Sequence, residues 1–317
     1  MAKCPLRIPL AGGSTDLESF IQEHGRGSVV SFPANLYTYI TLHDDRLGYN
    51  AYSKKYIINY SSREETDTIA DIKNDVAREV LNYFHLKPTT IGFTTDIFSM
   101  GSGLASSSSY VISLIKAAAE FRSLVLSNFE VCKLALQLER LFNPLTGYQD
   151  PYGCGLGGFK RLDFTKNRDP QVTFLSTQML QDFDMFLIYT GVSRLSTDLL
   201  KKVEKDNRLR LLDIVDQMEE AINRSDHEGF LGAIREGWEY KKGTSSAVMA
   251  NLTIQEMDTK ILKDSRILAH RLCGAGNGGY FLAFVEKDKQ NKLYMKETYQ
   301  HVLPIEIAPG GAKVKRL

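Results

Sequence analysis

The segment Met100-Gly101-Ser102-Gly103-Leu104-Ala105-Ser106-Ser107-Ser108-Ser109 constrains this chain more than any other. It follows a β-branched run, Thr89 to Thr95, and precedes the apolar Tyr110 to Phe121, so it reads as a turn that opens a helix. Small residues leave backbone N–H groups bare at such a turn, and the positive end of the helix favours an anion there. The pattern is not the Walker form, because no Gly-Lys-Ser/Thr ends it, and it lacks the third glycine of the dinucleotide fingerprint. Two readings stay open. The segment is a cradle for polyphosphate, with the hydroxyls of Ser106 to Ser109 on phosphate oxygens or Mg²⁺, or it is a serine-rich cap that only starts a helix.

Charge and cysteine usage bound the partners. The 317 residues carry 39 Lys+Arg against 38 Asp+Glu, a net charge of +1, with no long run of one sign, so nucleic acid is not expected as a partner. Cys4, Cys132, Cys154 and Cys273 form no C-x-x-C pair and the six histidines no H-x-x-x-H spacing, which argues against disulfide scaffolds and zinc and for a reduced, cytoplasmic setting. Pro5 and Pro9 interrupt the N-terminus, and no stretch approaches the ~18 apolar residues of a membrane span. Neither a signal peptide nor a membrane partner is expected.

Periodicity predicts strands over Leu6 to Leu10, Asn35 to His43, Lys55 to Tyr60 and Thr89 to Thr95, with a helix over Ile69 to Leu86. Ser127 and Glu130 form a capping box that starts a helix running to Phe142, which Asn143-Pro144 ends. A second glycine-dense segment, Gly153 to Gly158, reads as a loop before a strand over Phe159 to Phe164. Later come a strand at Phe183 to Tyr189 and helices over Leu195 to Asn223, His227 to Lys242 and Thr253 to Leu272. Gly274 to Gly279, a strand at Tyr280 to Val285 and a last strand near Val302 to Ile307 follow. The polar Lys166 to Pro170 marks a boundary near 165–182, dividing the chain into domains 1–175 and 176–317.

Glu139 lies on an otherwise apolar helix and Asp150 in the loop Gly147 to Gly153. A helical Glu and a loop Asp at this spacing can converge, the Glu on a metal and the Asp on a hydroxyl proton. Spacing alone favours the other reading, a surface glutamate and a turn aspartate.

Taken in order, the motifs and these carboxylates resemble the GHMP kinases (galactokinase, homoserine kinase, mevalonate kinase, phosphomevalonate kinase) over essentially the whole chain. Arg7-Ile8-Pro9-Leu10-Ala11-Gly12-Gly13-Ser14-Thr15-Asp16 resembles the first motif, in the form seen in the heptose-phosphate kinase branch and in fucokinases. Met100 to Ser109 resembles the second motif, P-x-x-x-G-L-G-S-S-A, and Leu272 to Tyr280 the third. The resemblance implies an α+β, two-lobed fold, with an N-terminal lobe like domain 2 of ribosomal protein S5 and a ferredoxin-like split β-α-β C-terminal lobe. It implies ATP on Gly101, Ser102, Gly103, Leu104, Ala105, Ser106, Ser107 and Ser108, and Mg²⁺ on Ser107 and Glu139. Asp150 falls on the catalytic aspartate, with Arg7 beside the reacting hydroxyl. Substrate contacts fall on Gly12, Gly13, Ser14, Thr15 and Asp16, and on Gly276, Asn277 and Gly278. Arg194 and Lys241 are candidates for a phosphate already on the sugar.

Four positions depart from the family pattern: Ser99 for proline, and Ala105, Ser14 and Asn277 for glycine. Ala105 matters most, because alanine at a positive φ would be strained. The implied reaction is ATP-dependent phosphorylation of a sugar phosphate at its anomeric hydroxyl, D-glycero-D-manno-heptose 7-phosphate in the heptose branch. Alternatives are a neutral-sugar kinase of the L-fucose or galactose type, a silent sugar- or nucleotide-binding module and an interaction scaffold. A homodimer is left open. Because ATP, a sugar phosphate and a cation must meet in one cleft, that cleft is expected to be locally positive, through backbone N–H groups, Mg²⁺ and a few residues such as Arg7, despite the balanced total.

Overall fold

A computed structural model describes residues 1–43, 54–98, 101–193 and 208–316. Strands form where β-branched and aromatic residues cluster. The strand β1 (Ala2–Ala11) pairs antiparallel with the long β2 (Arg26–His43), and register shifts interrupt the pairing between Pro5 and Arg7 and between Pro9 and Ala11. Each shift lies beside a proline, which has no N–H to give the ladder. Arg7 sits between the two irregularities, on a strand that is buried at every position but Lys3.

The first sheet grows outward from this pair. One end of β2 pairs with β5 (Thr90–Thr95), which continues parallel to β3 (Tyr56–Asn59) and on to β4 (Arg63–Thr66). The other end pairs with β6 (Lys160–Thr165), which forms a hairpin with β7 (Gln171–Phe174). The final strand, β12 (Lys313–Val314), returns to the free edge of β1. The helices of this half are α1 (Glu18–His24), α2 (Asp75–Tyr83), α3 (Ser106–Phe121), α4 (Asn128–Phe142) and α5 (Gln149–Gly155). Ile112 and Ile115 of α3 and Leu134 and Leu138 of α4 pack with Ile40, Ile58 and Ile91 of the sheet.

A second, antiparallel sheet runs in the order β11 (Val302–Ile305), β8 (Phe183–Tyr189), β10 (Tyr280–Glu286), β9 (Ile267–Leu272). With it go α6 (Leu209–Asn223), α7 (His227–Gly243), α8 (Leu252–Lys263) and α9 (Lys289–Thr298). One core joins the halves: Leu10, Val30 and Phe32 share a cluster with Leu187, Leu282 and Phe284 and with Ile214, Val215 and Met218. Each such side chain contributes about 1.5–3 kcal/mol by leaving water, so burial ties the two sheets together. The fold is α+β with two sheets, as the motifs imply. Among the described residues no helix is long and apolar enough to cross a membrane.

Three expectations need correcting. The helix expected over Ile69 to Leu86 is a short turn, Ile69–Asp71, followed by α2. Glu64 accepts hydrogen bonds from Lys73 N (2.6 Å) and Asn74 N (3.0 Å), and Asn74 caps α2 by accepting from Ala77 N, so polar groups hold the break. The helix expected over Thr253 to Leu272 ends at Lys263, and its last six residues are β9, since pairing with β10 outweighs their helical spacing. Asp150 is not in a loop but in the first turn of α5, which takes in the first glycines of the second cluster. The capping box at Ser127 and Glu130 is present. The expected helix from Leu195 is described only from residue 209, and Ser99, Met100 and Arg194 lie outside the described residues.

Ser14, Ala105 and Asn277 replace family glycines, and all three have left-handed backbones, with φ of 81°, 61° and 57°. Asparagine tolerates this region, whereas alanine is strained there by about 1–2 kcal/mol. Ala105 stands at the N-cap of α3. Ala105→Gly should raise stability by a net of about 1 kcal/mol after the entropic cost of glycine. Urea unfolding checks this: the midpoint should rise at constant slope, and an unchanged or lower midpoint would contradict the strain.

Candidate active site

The centre of the site is a buried ion pair. Arg7 Nε and Nη2 both donate to Asp150 Oδ1, at 3.0 and 2.6 Å, and Nη1 donates to the carbonyl oxygen of Gly103 at 2.9 Å. Arg7 is 4% exposed, while the Asp150 side chain is 35% exposed. Burial works against the guanidinium charge, the Asp150 carboxylate outweighs it, and the net shift of Arg7 is upward. Because both bonds converge on Oδ1, Oδ2 is left to face a ligand.

Helix α5 can lie this close to β1 because residue 153 is glycine. A Cβ there would stand 3.1 Å from both Cβ and Cγ of Arg7. The far end of α5 is held by the fully buried Lys160, whose Nζ donates to the carbonyls of Gly153 (3.2 Å), Leu156 (3.0 Å) and Gly158 (3.2 Å). Burial pushes this ammonium down to about 8. It belongs to the positioning of Asp150, and its isolated place in the sequence gave no sign of that.

The Gly/Ser segment enters α3 at Ser106, so Ser107 and Ser108 sit in the helix's first turn. Ser102 Oγ lies 2.9 Å from Ser106 Oγ and accepts from Leu104 N, which fixes the turn. The third motif backs this loop: a Cβ on Gly103 would meet Cys273 O at 2.5 Å, and one on Gly279 would meet Ser102 O at 2.3 Å. Glu139, 2% exposed on α4, accepts a short hydrogen bond from Ser108 Oγ and is also bonded by Ser107. Its burial dominates those bonds and raises it to about 7.

Around these groups lies an open cleft with about 930 Å³ of free space. Of the expected residues, Arg7, Gly13, Ser14, Asp16, Gly101, Ser102, Gly103, Ala105, Ser106, Ser107, Glu139, Asp150 and Lys241 line it. Asp16 is buried and accepts from Ser14 N (3.1 Å) and Gln149 N (3.0 Å); burial, helped by Asp150, raises its pKa. Lys241 Nζ donates to Gly274 O at 2.7 Å. The lining does not include Gly12, Thr15, Leu104, Ser108, Gly276, Asn277 or Gly278. Thr15 Oγ1 instead donates to Gly12 O and Ser28 O, and Asn277 links Asn251 N and Val248 O. Gly274 and Ala275 represent the third motif at the wall. Trp238 packs, donating to Asp258 Oδ1 in the second half of the fold. Sequence reasoning missed Asn143, Thr146 and Gln149, which line the cleft between the two carboxylates it did single out.

The expected positive cleft is not what the side chains make. Three carboxylates, Asp16, Glu139 and Asp150, line it against Arg7 and Lys241.

Residues 71–158 match the GHMP kinases N terminal domain. The D-glycero-alpha-D-manno-heptose 7-phosphate kinase of Campylobacter jejuni subsp. jejuni is 28% identical to this chain, over 99% of this chain and 98% of its own length. The L-fucokinase/L-fucose-1-P guanylyltransferase of Bacteroides fragilis is 30% identical, over 62% of this chain and 22% of its own. The crystal structure of a D-glycero-D-manno-heptose 1-phosphate kinase from Bacteroides thetaiotaomicron superposes with a TM-score of 0.75 at 22% identity, covering 99% of each chain. Three motifs, the fold and the domain match over residues 71–158 agree in likening the chain to the GHMP kinases. It is a kinase.

The raised Glu139 has a stability consequence. Its ordinary value is 4.5 and its folded value about 7, so between these the folded state holds a proton that the unfolded state has lost. Stability contributed by the protonated form is therefore lost as pH rises through that window. Without Mg²⁺, Glu139→Gln should melt with the wild type near about pH 5 and above it near about pH 8. Parallel melting curves across that range would contradict the burial argument.

Proposed function

We propose that this kinase phosphorylates the anomeric hydroxyl of a heptose that already carries a phosphate, D-glycero-D-manno-heptose 7-phosphate, giving the 1,7-bisphosphate for nucleotide-activated heptose. One observation carries the chemistry. A single guanidinium, Arg7, holds both Asp150 and the carbonyl of Gly103 in the Gly/Ser loop, so the proton acceptor and the phosphate cradle share one anchor. The sugar class rests on the similarity along the whole chain to the Campylobacter heptose 7-phosphate kinase.

The residues present fit a nucleotide and a cation. The loop offers the N-terminus of α3, and Glu139 is a buried carboxylate beside two serine hydroxyls, raised to about 7 by burial. No cluster of three acidic, His or Cys ligands occurs among the described residues, so Glu139 and Ser107 would hold Mg²⁺ together with phosphate oxygens. When bound, ATP supplies the phosphoryl group and Mg²⁺ offsets phosphate charge. Asp150 Oδ2 accepts the proton of the attacking hydroxyl, while Arg7 holds Asp150 in place. Asp16 accepts hydrogen bonds from sugar hydroxyls. Lys241 puts a positive charge on the substrate side of the cleft, and Arg194, beyond the described residues, is the candidate for the phosphate already on the sugar.

The same reading divides the chain into lobes 1–175 and 176–317, with β12 crossing back to the first sheet. It sets the reaction in the reduced cytoplasm, which suits four free, buried thiols. A neutral-sugar kinase is the second reading, favoured by the 30% identity with the fucokinase.

An ADP-coupled assay on heptose 7-phosphate, heptose 1-phosphate, L-fucose and galactose separates these. The phosphorylated heptose should show a kcat/KM at least about tenfold above either neutral sugar, because its phosphate makes charge-assisted contacts that a neutral sugar cannot. Preference for L-fucose or galactose would establish the second reading.

A further inference from the structure

Gly13 lies in the first motif without any backbone need for glycine. Its φ is not among the left-handed values, and among the described residues the atoms within 4 Å of a Cβ built on it are side-chain atoms, Gln149 Oε1 at 3.4 Å and Lys241 Nζ at 3.5 Å. Those distances are ordinary contacts, so alanine would fit the fold. What glycine preserves is the empty notch between the two side chains, on the wall of the same cleft.

The notch has a chemical direction. Gln149 is 4% exposed, and its Oε1 is buried without a hydrogen-bond partner among the described residues. A buried polar atom of this kind is costly unless something pairs with it. Thr146 Oγ1, also buried and unpartnered, lines the cleft one turn of chain earlier. Gln149 immediately precedes Asp150 in α5, and its backbone N–H donates to Asp16 Oδ2. Whatever occupies the notch is therefore next to the reacting group.

We propose that Gln149, Gly13 and Lys241 form a subsite that selects the acceptor by one hydroxyl neighbouring the hydroxyl that is phosphorylated. The hydroxyl donates to Gln149 Oε1 and accepts from the Lys241 ammonium. A phosphate oxygen in the same place would face the lone pairs of Oε1, so the notch takes a hydroxyl and not an anion. Gln149 is thus a specificity-determining residue, and Gly13 is glycine to leave that hydroxyl room.

This inference rests on the sugar-kinase reading, and the test keeps the two apart. Steady-state kinetics are run on the wild type, Gly13→Ala and Gln149→Met, with the best sugar of the panel above and its monodeoxy analogues. Both variants should raise the sugar KM by about tenfold or more, with the KM for ATP unchanged. The wild type should reject one monodeoxy analogue, and Gln149→Met should lose that discrimination. Unchanged sugar KM in Gly13→Ala, or undiminished discrimination in Gln149→Met, would overturn the subsite alone. A wild type that phosphorylates no sugar would overturn the functional reading and the subsite with it.

Discussion

The Arg7 to Asp150 pair is the interaction on which the site depends. It joins residues 143 apart in the chain, one on the first strand and one on a short helix that follows α4. A buried guanidinium must have its charge and its N–H groups satisfied together, since an unpaired one is strongly destabilising. Asp150 and the Gly103 carbonyl do both. Placing the strand, the loop and the helix around one planar group fixes their mutual distances more tightly than apolar packing alone would.

Around that pair the cleft is built with an excess of negative side chains. Asp16 and Glu139 are both pushed upward by burial, and Asp150 adds to each shift. In the proposed function a divalent ion beside Glu139 and the N–H groups at the start of α3 would together offset the charge of a polyanion. The balanced total of 39 against 38 charges says nothing of this, because the imbalance concerns five side chains in one place.

Much of this was legible in the residues. The Gly/Ser turn into α3 and the capping box at Ser127 and Glu130 came from local patterns, and the meeting of Arg7, Glu139 and Asp150 in one cleft from the family resemblance. What escaped depends on tertiary contact. Ile267 to Leu272 carries a helical spacing, yet pairs as β9 because β10 offers it a buried edge. Glycines 153 and 155 look like a loop but lie in a helix, one of them pressed on Arg7. Lys160 reads as any surface lysine, and only the end of α5 folding over it shows its use. Asn277 matched the substrate motif by position but is occupied in holding Asn251 and Val248.

The most direct test of the account is Asp150→Asn, with turnover and ATP affinity measured on the same preparation. The account predicts a fall in kcat of at least about 100-fold, the scale of a lost general base, with ATP binding within about threefold of the wild type. A variant that keeps near-normal turnover would contradict the role given to the Arg7–Asp150 pair.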